Sequence, residues 1–236
     1  MGDKRTAIQD IIGVIFDFNG TMFFDSDKHI MAWAEYIEEI SGVKLTQKGI
    51  ERYIAGKSGK EILEHFLECE LTEEMLEQFC EEKEGIYRRL CTEDRENLKL
   101  APGLEEFLDY LTDNNVPVTI ATTAHLSNVM FYFEVFDLYR WFDPEKLVCH
   151  DKSLRDKPFP DLYLVACKKI NKSPDRCLVF EDSESGILAA VNAGVKNIVA
   201  VVGDNPGLDT KNSNVLCAKI KDFYELNEQL EIHYKS

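Results

Sequence analysis

No stretch of this chain is long and apolar enough to span a bilayer. The longest near-continuous apolar run, residues 11–18, is broken by Asp17, far short of the ~20 residues a membrane helix needs. No basic segment leads into an apolar stretch and a small-residue cleavage site at the start, so the expectation is a cytoplasmic protein without a membrane partner. Basic residues are scarce: 27 Lys and Arg face 43 Asp and Glu, a net charge of −16. A phosphate-backbone partner would be repelled, which excludes nucleic acid as the expected ligand. The seven cysteines (69, 80, 91, 149, 167, 177, 217) include no CxxC pair, and the five histidines form no HExxH or HxxxH. A disulfide framework, a tetrahedral zinc site and a zinc hydrolase are therefore not expected. Cys69, Cys80 and Cys91 recur every 11 residues, close to three helical turns, and read as small buried hydrophobes on one helix face.

What is present is ordinary globular composition. With 236 residues, 44% hydrophobic and 30% charged, the chain can bury one large core, with or without a smaller insert. Two textures alternate along it. Residues 28–40, 47–54, 60–68 and 72–90 carry helical periodicity, and Thr72 with Glu73 and Glu74 opens the last as a cap and an acidic first turn. Residues 61–96 hold 13 acids against 4 bases, which supplies −9 of the −16 and marks a solvated helix face. Elsewhere, short apolar runs at 11–16, 116–121, 147–149, 177–180 and 197–202 alternate with helical stretches at 103–113, 126–136, 160–170 and 185–193. Strands with little internal alternation, separated by helices, read as a parallel sheet covered on both faces. The expected fold is a doubly wound α/β core, residues 1–23 and 98–236, with an all-helical insertion at 24–97 after its first strand. Trp33, Phe23 and Phe24 read as packing residues.

In such a sheet the ligand site lies beyond the carboxyl ends of the strands. The first strand runs out into Asp17-Phe18-Asn19-Gly20-Thr21, the second into Thr122-Thr123, and the fourth into Glu181-Asp182-Ser183. Between the last two stands Asp156-Lys157-Pro158-Phe159-Pro160-Asp161. An acid abutting a buried strand is costly unless it leaves the strand at its tip or finds a cation. Three carboxylates, a hydroxyl and a lysine at one edge suit a hard divalent cation and an anion. Mg2+, which takes few carboxylates and a phosphate, fits better than Ca2+, because no oxygen-rich EF-hand loop is present.

These residues resemble the motifs of the haloacid dehalogenase superfamily. Asp17-Phe18-Asn19-Gly20-Thr21 is similar to its DxDxT signature, Thr122 to the second-motif hydroxyl and Lys157 in Lys-Pro-x-Pro-Asp to the third motif. Glu181-Asp182-Ser183, followed by Gly186-Ile187 and by Ala193-Gly194, is similar to the fourth. The helical insert resembles the type-1 cap of the β-phosphoglucomutase and phosphoglycolate phosphatase branch. The resemblance implies that Asp17 is a nucleophile forming an aspartyl-phosphate. It implies that Gly20, Thr21, Thr122, Thr123 and Lys157 surround the phosphoryl group. It further implies Mg2+ on Asp17, the Asn19 carbonyl and Asp182, with Glu181 acting directly or through a water. His29 and Lys83 resemble cap positions that face a sugar phosphate. Lys57 and Lys60, in Gly56-Lys57-Ser58-Gly59-Lys60, read as a cap loop touching the substrate's polar end; a P-loop is excluded because Glu51 stands where that motif needs Gly.

The chain departs from the family pattern at Asn19, where the second Asp of DxDxT supplies acid–base help worth roughly 10²–10⁴-fold. An amide cannot exchange a proton at neutral pH. The resemblance therefore implies a phosphatase of a small phosphorylated metabolite that is slow, or uses another group in place of the acid, or is restricted to good leaving groups. The alternatives are a sugar-phosphate mutase, a phosphonatase using a cap lysine as Schiff base, and a metabolite-binding protein with little turnover. Monomer and homodimer both remain open.

Overall fold

The computed structural model describes residues 6–203, 208, 215–226 and 230–234. These divide into two compact units, one formed by the segments up to Phe24 and from Leu100 onward, the other by Asp25–Lys99. The first unit opens with β1 (Thr6–Ile11) and β2 (Gly13–Phe16). It resumes with α5 (Leu104–Asp113), β3 (Val118–Ile120), α6 (Leu126–Val135) and α7 (Asp161–Lys169). It ends with β4 (Cys177–Glu181), α8 (Glu184–Asn192), β5 (Asn197–Val201), β6 (Ala218–Ile220) and β7 (Leu230–Tyr234). Among the described residues no helix is long and apolar enough to cross a membrane.

Five strands form an all-parallel sheet in the order β3-β2-β4-β5-β6. The α/β reading therefore holds, and its physical cause is visible in the two faces. Phe16 and Phe180, paired in register, point to one side and stack at 5.2 Å, where Phe107 of α5 and Phe223 join them. Ile15 and Val179, also paired, point to the other side and pack with Tyr163, Cys167 and Ile187 of α7 and α8. Both parities are apolar because both faces are covered. Each buried Phe or Ile contributes roughly 1.5–3 kcal/mol to this core.

Strand order then places the site. From β2 the chain reaches β3 on one side and later β4 on the other, so β2 lies where the order reverses, and in open parallel sheets ligands bind outside the carboxyl ends of the strands at such a point.

Three expectations are corrected. The run 11–16 is not one strand: β1 ends at Ile11 and pairs with β7 in a separate two-stranded parallel sheet, while β2 begins at Gly13. Residues 147–149 form no strand; Val148 makes a single bridge to Ala121 beyond the tip of β3, too short to build a ladder. The cysteine spacing does not mark one buried helix face, because Cys69 lies exposed outside a helix, Cys80 is half-buried and only Cys91 is buried.

The second unit consists of α1 (Ser26–Ser41), α2 (Gln47–Tyr53), α3 (Gly59–Leu67) and α4 (Glu73–Glu93). Its apolar centre is Ile37, Ile54 and Ile62, with Trp33, Leu45 and Phe66 packed against them. Local signals start the helices. Ser58 and Glu61 form a reciprocal capping box on α3, and the Thr72 hydroxyl accepts from Met75 N at 3.2 Å on α4. The acidic stretch is not solvated throughout: Lys83 and Glu84 turn inward, where the ammonium donates to Glu84 Oε1 at 2.6 Å.

Candidate active site

The alternation that sorts the sheet's faces also aims the acids. Asp17 continues the parity of Ile15, and Glu181 that of Val179. The Asp17 N–H donates to Phe180 O at 3.0 Å, so the two carboxylates stand side by side on adjacent strand tips. Both point to the α7 side. The loop entering α7 brings Lys157, whose ammonium donates to Asp17 Oδ1 at 2.6 Å and also to Glu181 Oε1. Burial works against that ammonium, and the charges of Asp17 and Glu181 outweigh it, holding its pKa well above the ordinary lysine range. On the other side of β2, Ala121 N donates to Phe16 O at 2.8 Å, which sets Thr122 at the same sheet edge. The Thr122 hydroxyl is buried and accepts from Ala124 N at 3.1 Å, closing the turn after β3.

Asp17, Glu181 and Asp182 offer oxygens that all lie within 4.8 Å of one another. One lysine does not balance three carboxylates. Burial, together with the charges of Glu181 and Asp17, pushes the Asp182 carboxyl up to about 9. A cation in the cluster would relieve this, and the acidic set can hold a metal. Gly20 admits Asp182 to the cluster: its φ is +77°, and a Cβ there would lie 2.1 Å from Asp182 Oδ2.

Glu181 is fully buried and richly bonded. Oε1 accepts from Lys157 and from the Tyr163 hydroxyl at 3.3 Å, and Oε2 from Ser183 N at 2.7 Å and Ser183 Oγ at 3.0 Å. Burial and the Glu181 charge keep the Tyr163 phenol protonated and so a donor. A Cβ on Gly186 would fall 1.5 Å from Glu181 Oε1. Tyr163 and Gly186 thus fix Glu181, and through it Lys157. The sequence reading passed over Tyr163; its signal was a hydroxyl-bearing aromatic on the buried face of α7, two residues after Asp161.

Asn19 is half-buried, and its Nδ2 donates to the Tyr132 hydroxyl on α6 at 2.8 Å. Tyr132, also missed, is 1% exposed and stacks on Phe18 at 4.2 Å. Thr123 is exposed. Thr21 is fully enclosed, and its Oγ1 has no hydrogen-bond partner among the described residues, so this arrangement packs it rather than presents it to a ligand.

The remaining candidates belong to the helical unit. His29 Nδ1 lies 3.1 Å from Lys83 Nζ and Nε2 lies 3.4 Å from Asp25 Oδ2. That geometry suits the tautomer in which Nδ1 accepts from Lys83 and the Nε2–H faces Asp25. Tyr87 donates to Asp25 and stacks its ring on His29 at 4.0 Å. Lys57 and Lys60 are exposed, the latter 3.7 Å from Glu64.

A strand-tip aspartate held by a lysine, flanked by a Glu-Asp pair on the next strand and a Thr on the other, is the decisive arrangement. Residues 14–200 match the model of the haloacid dehalogenase-like hydrolases. The chain belongs to that family. A haloacid dehalogenase hydrolase of family IA, variant 3, from Entamoeba histolytica has a solved structure with a TM-score of 0.83 and 32% identity, covering 92% of this chain and 95% of that one. A phosphorylated carbohydrates phosphatase of Thermotoga maritima is 29% identical over 193 residues, 80% of this chain and 84% of its own. A β-phosphoglucomutase of Bacillus subtilis is 28% identical over 77% of this chain and 80% of its own.

Proposed function

We propose that this hydrolase is a phosphatase of a small phosphorylated metabolite, working through an aspartyl-phosphate on Asp17. The observation that carries the reading is the simultaneous hold of Lys157 on Asp17 and Glu181, with Asp182 in the same cluster. A carboxylate is ionised at neutral pH and needs no base to attack. Its oxygen would bond to phosphorus as the ester oxygen leaves; water would then attack the same phosphorus, releasing inorganic phosphate and restoring Asp17. Lys157, kept cationic by its two carboxylates, and Thr122 would hold the phosphoryl oxygens as charge builds on them.

Three hard oxygen donors short of positive charge fit Mg2+. Asp17, Asp182 and the Asn19 carbonyl would hold it, with Glu181 directly or through a water, and the bound ion would neutralise phosphate charge. The protein bonds already on Glu181 favour the water-mediated contact and leave Glu181 to position Lys157.

Asn19 separates this reading from a mutase, which needs an acid–base group to pass phosphoryl groups between hydroxyls. The phosphonatase alternative is disfavoured because Lys57 and Lys60 are exposed, whereas a Schiff-base lysine works from an enclosed pocket. The test is phosphate release from a metabolite panel and from p-nitrophenyl phosphate, in wild type and Asn19→Asp. The aryl ester should give a burst of nitrophenol, since its leaving group needs little protonation while the second step lacks a base. Asn19→Asp should raise kcat roughly 10–10³-fold, within or just below the range for acid–base help, with alkyl esters gaining more. No phosphate release from any substrate by either protein would refute the proposal.

A further inference from the structure

Cys167 on α7 and Cys177 at the start of β4 meet inside the core, with their sulfurs 3.8 Å apart. They are 2% and 0% exposed. We propose that these two thiols form a reversible disulfide when a small hydroperoxide reaches them, and that the bond regulates the candidate site at the other end of the same helix–strand contact. The pairing stands on the geometry alone. The regulation rests on the phosphatase reading above.

A disulfide brings its sulfurs to about 2.05 Å, so this pair must close by roughly 1.8 Å from its 3.8 Å separation. The chain between them runs only from Lys168 to Arg176, so the cross-link closes a short loop. Burial pushes the thiols of Cys80, Cys91, Cys149 and Cys217 up. Cys167 goes the other way, because the Cys177 thiol beside it supports its thiolate, and the same contact raises Cys177. One partner is thus set to attack and the other to keep its proton.

The Cys167 thiolate attacks one oxygen of the hydroperoxide. An S–O bond forms, the O–O bond breaks, and with hydrogen peroxide the departing hydroxide takes up the proton that Cys167 gave, leaving as water. The Cys177 sulfur then attacks the Cys167 sulfur. The S–S bond forms, the S–O bond breaks, and the Cys177 proton leaves with the second water. Both sulfurs are oxidised, and one peroxide is reduced to two waters. Sulfurs this enclosed admit only a small oxidant.

The same two elements hold the candidate site. Tyr163 lies four residues before Cys167 on the buried face of α7, and Glu181 four residues after Cys177 on β4. The Tyr163 hydroxyl donates to Glu181 Oε1 at 3.3 Å, close to the length, about 3.6 Å, at which a hydrogen bond is lost. Close-packed interiors transmit such shifts rather than absorb them. Drawing α7 toward the first residue of β4 therefore breaks this bond and loosens Glu181, the carboxylate that positions Lys157.

The experiment exposes the reduced full chain to hydrogen peroxide, blocks the remaining thiols by alkylation and maps peptides without reductant, with phosphate release assayed in parallel. Exposed Cys69 gauges how far oxidation has gone. Peptides joined through Cys167 and Cys177, two hydrogens lighter than their parts, should appear, and dithiothreitol should separate them. The KM for phosphate esters should rise roughly 10-fold on oxidation, matching the loss of one hydrogen bond to a charged group, and return on reduction. Cys177→Ala should keep its KM in peroxide, with Cys167 stopping at the sulfenic acid that dimedone traps. No linked peptide in the wild type once Cys69 is fully oxidised, or linkage only in urea, overturns the inference however the variant folds. Linkage with an unchanged KM upholds the disulfide and overturns its regulatory role. Linkage in a protein that releases no phosphate, reduced or oxidised, upholds the disulfide and counts against the phosphatase reading instead.

Discussion

Lys157 Nζ donates to Asp17 Oδ1 at 2.6 Å across a gap of 140 residues, and both side chains are nearly enclosed. The bond joins the second strand to the loop before α7 and compensates two carboxylates at once. Lys157→Met should therefore leave Asp17 and Glu181 buried and uncompensated, a loss of about 3–5 kcal/mol. Chemical denaturation in the absence of metal measures it, and unchanged stability would mean that the acids take up protons without consequence.

Asp17→Asn should abolish phosphate release while the far-ultraviolet circular dichroism stays native. The substitution removes the attacking oxygen and one anionic metal donor together. Retention of more than a few per cent of wild-type activity would place the nucleophile elsewhere.

Asp182→Ala and Glu181→Ala should fail differently. The first should weaken Mg2+ binding strongly, because Asp182 has no lysine partner of its own in the site. The second should loosen Lys157 and act chiefly on phosphate affinity. Titration calorimetry with Mg2+ separates them, and equal affinities would remove the distinction.

The Asp182 carboxyl, ordinarily near 3.8, is raised to about 9 by burial and the neighbouring charges of Glu181 and Asp17. Between those values the folded chain keeps a proton that the unfolded chain has lost. The metal-free protein should then lose stability as pH rises through that window. Mg2+ bound there would displace the proton, so its affinity should increase with pH and its presence should flatten the slope of Tm against pH. Asp182→Asn should flatten the slope without metal. A metal-free Tm that rises from pH 5 to 8 would contradict the assignment.

Gly186→Ala should destabilise the protein, since its Cβ would fall 1.5 Å from Glu181 Oε1. In an unobstructed helix the same change gains about 1 kcal/mol. Reduced stability with a raised KM for phosphate esters is the expected result, and a stabilised, fully active variant would show that Glu181 can move aside.

The residues by themselves determined the α/β class, because strands covered on both faces must be apolar at both parities, as Ile15-Phe16 and Val179-Phe180 are. They also marked Asp17, Glu181 and Asp182 as unusual, since an acid at the end of such a run belongs at a strand tip. Pairing was another matter. That β1 leaves the first apolar run to join β7 depends on a partner at the far end of the chain, and local pattern carries no signal of it. The inward turn of Lys83 and Glu84 in an acidic stretch, and the exposure of Cys69, likewise followed from packing rather than from spacing. Composition could not tell that Glu181 is bound up with Lys157, Tyr163 and Ser183, nor that Asn19 lies against Tyr132. Those are contacts between groups distant in sequence. Only tertiary structure decides them, because a hydrogen bond is specific over a few tenths of an ångström and sequence periodicity resolves no more than which face a side chain takes.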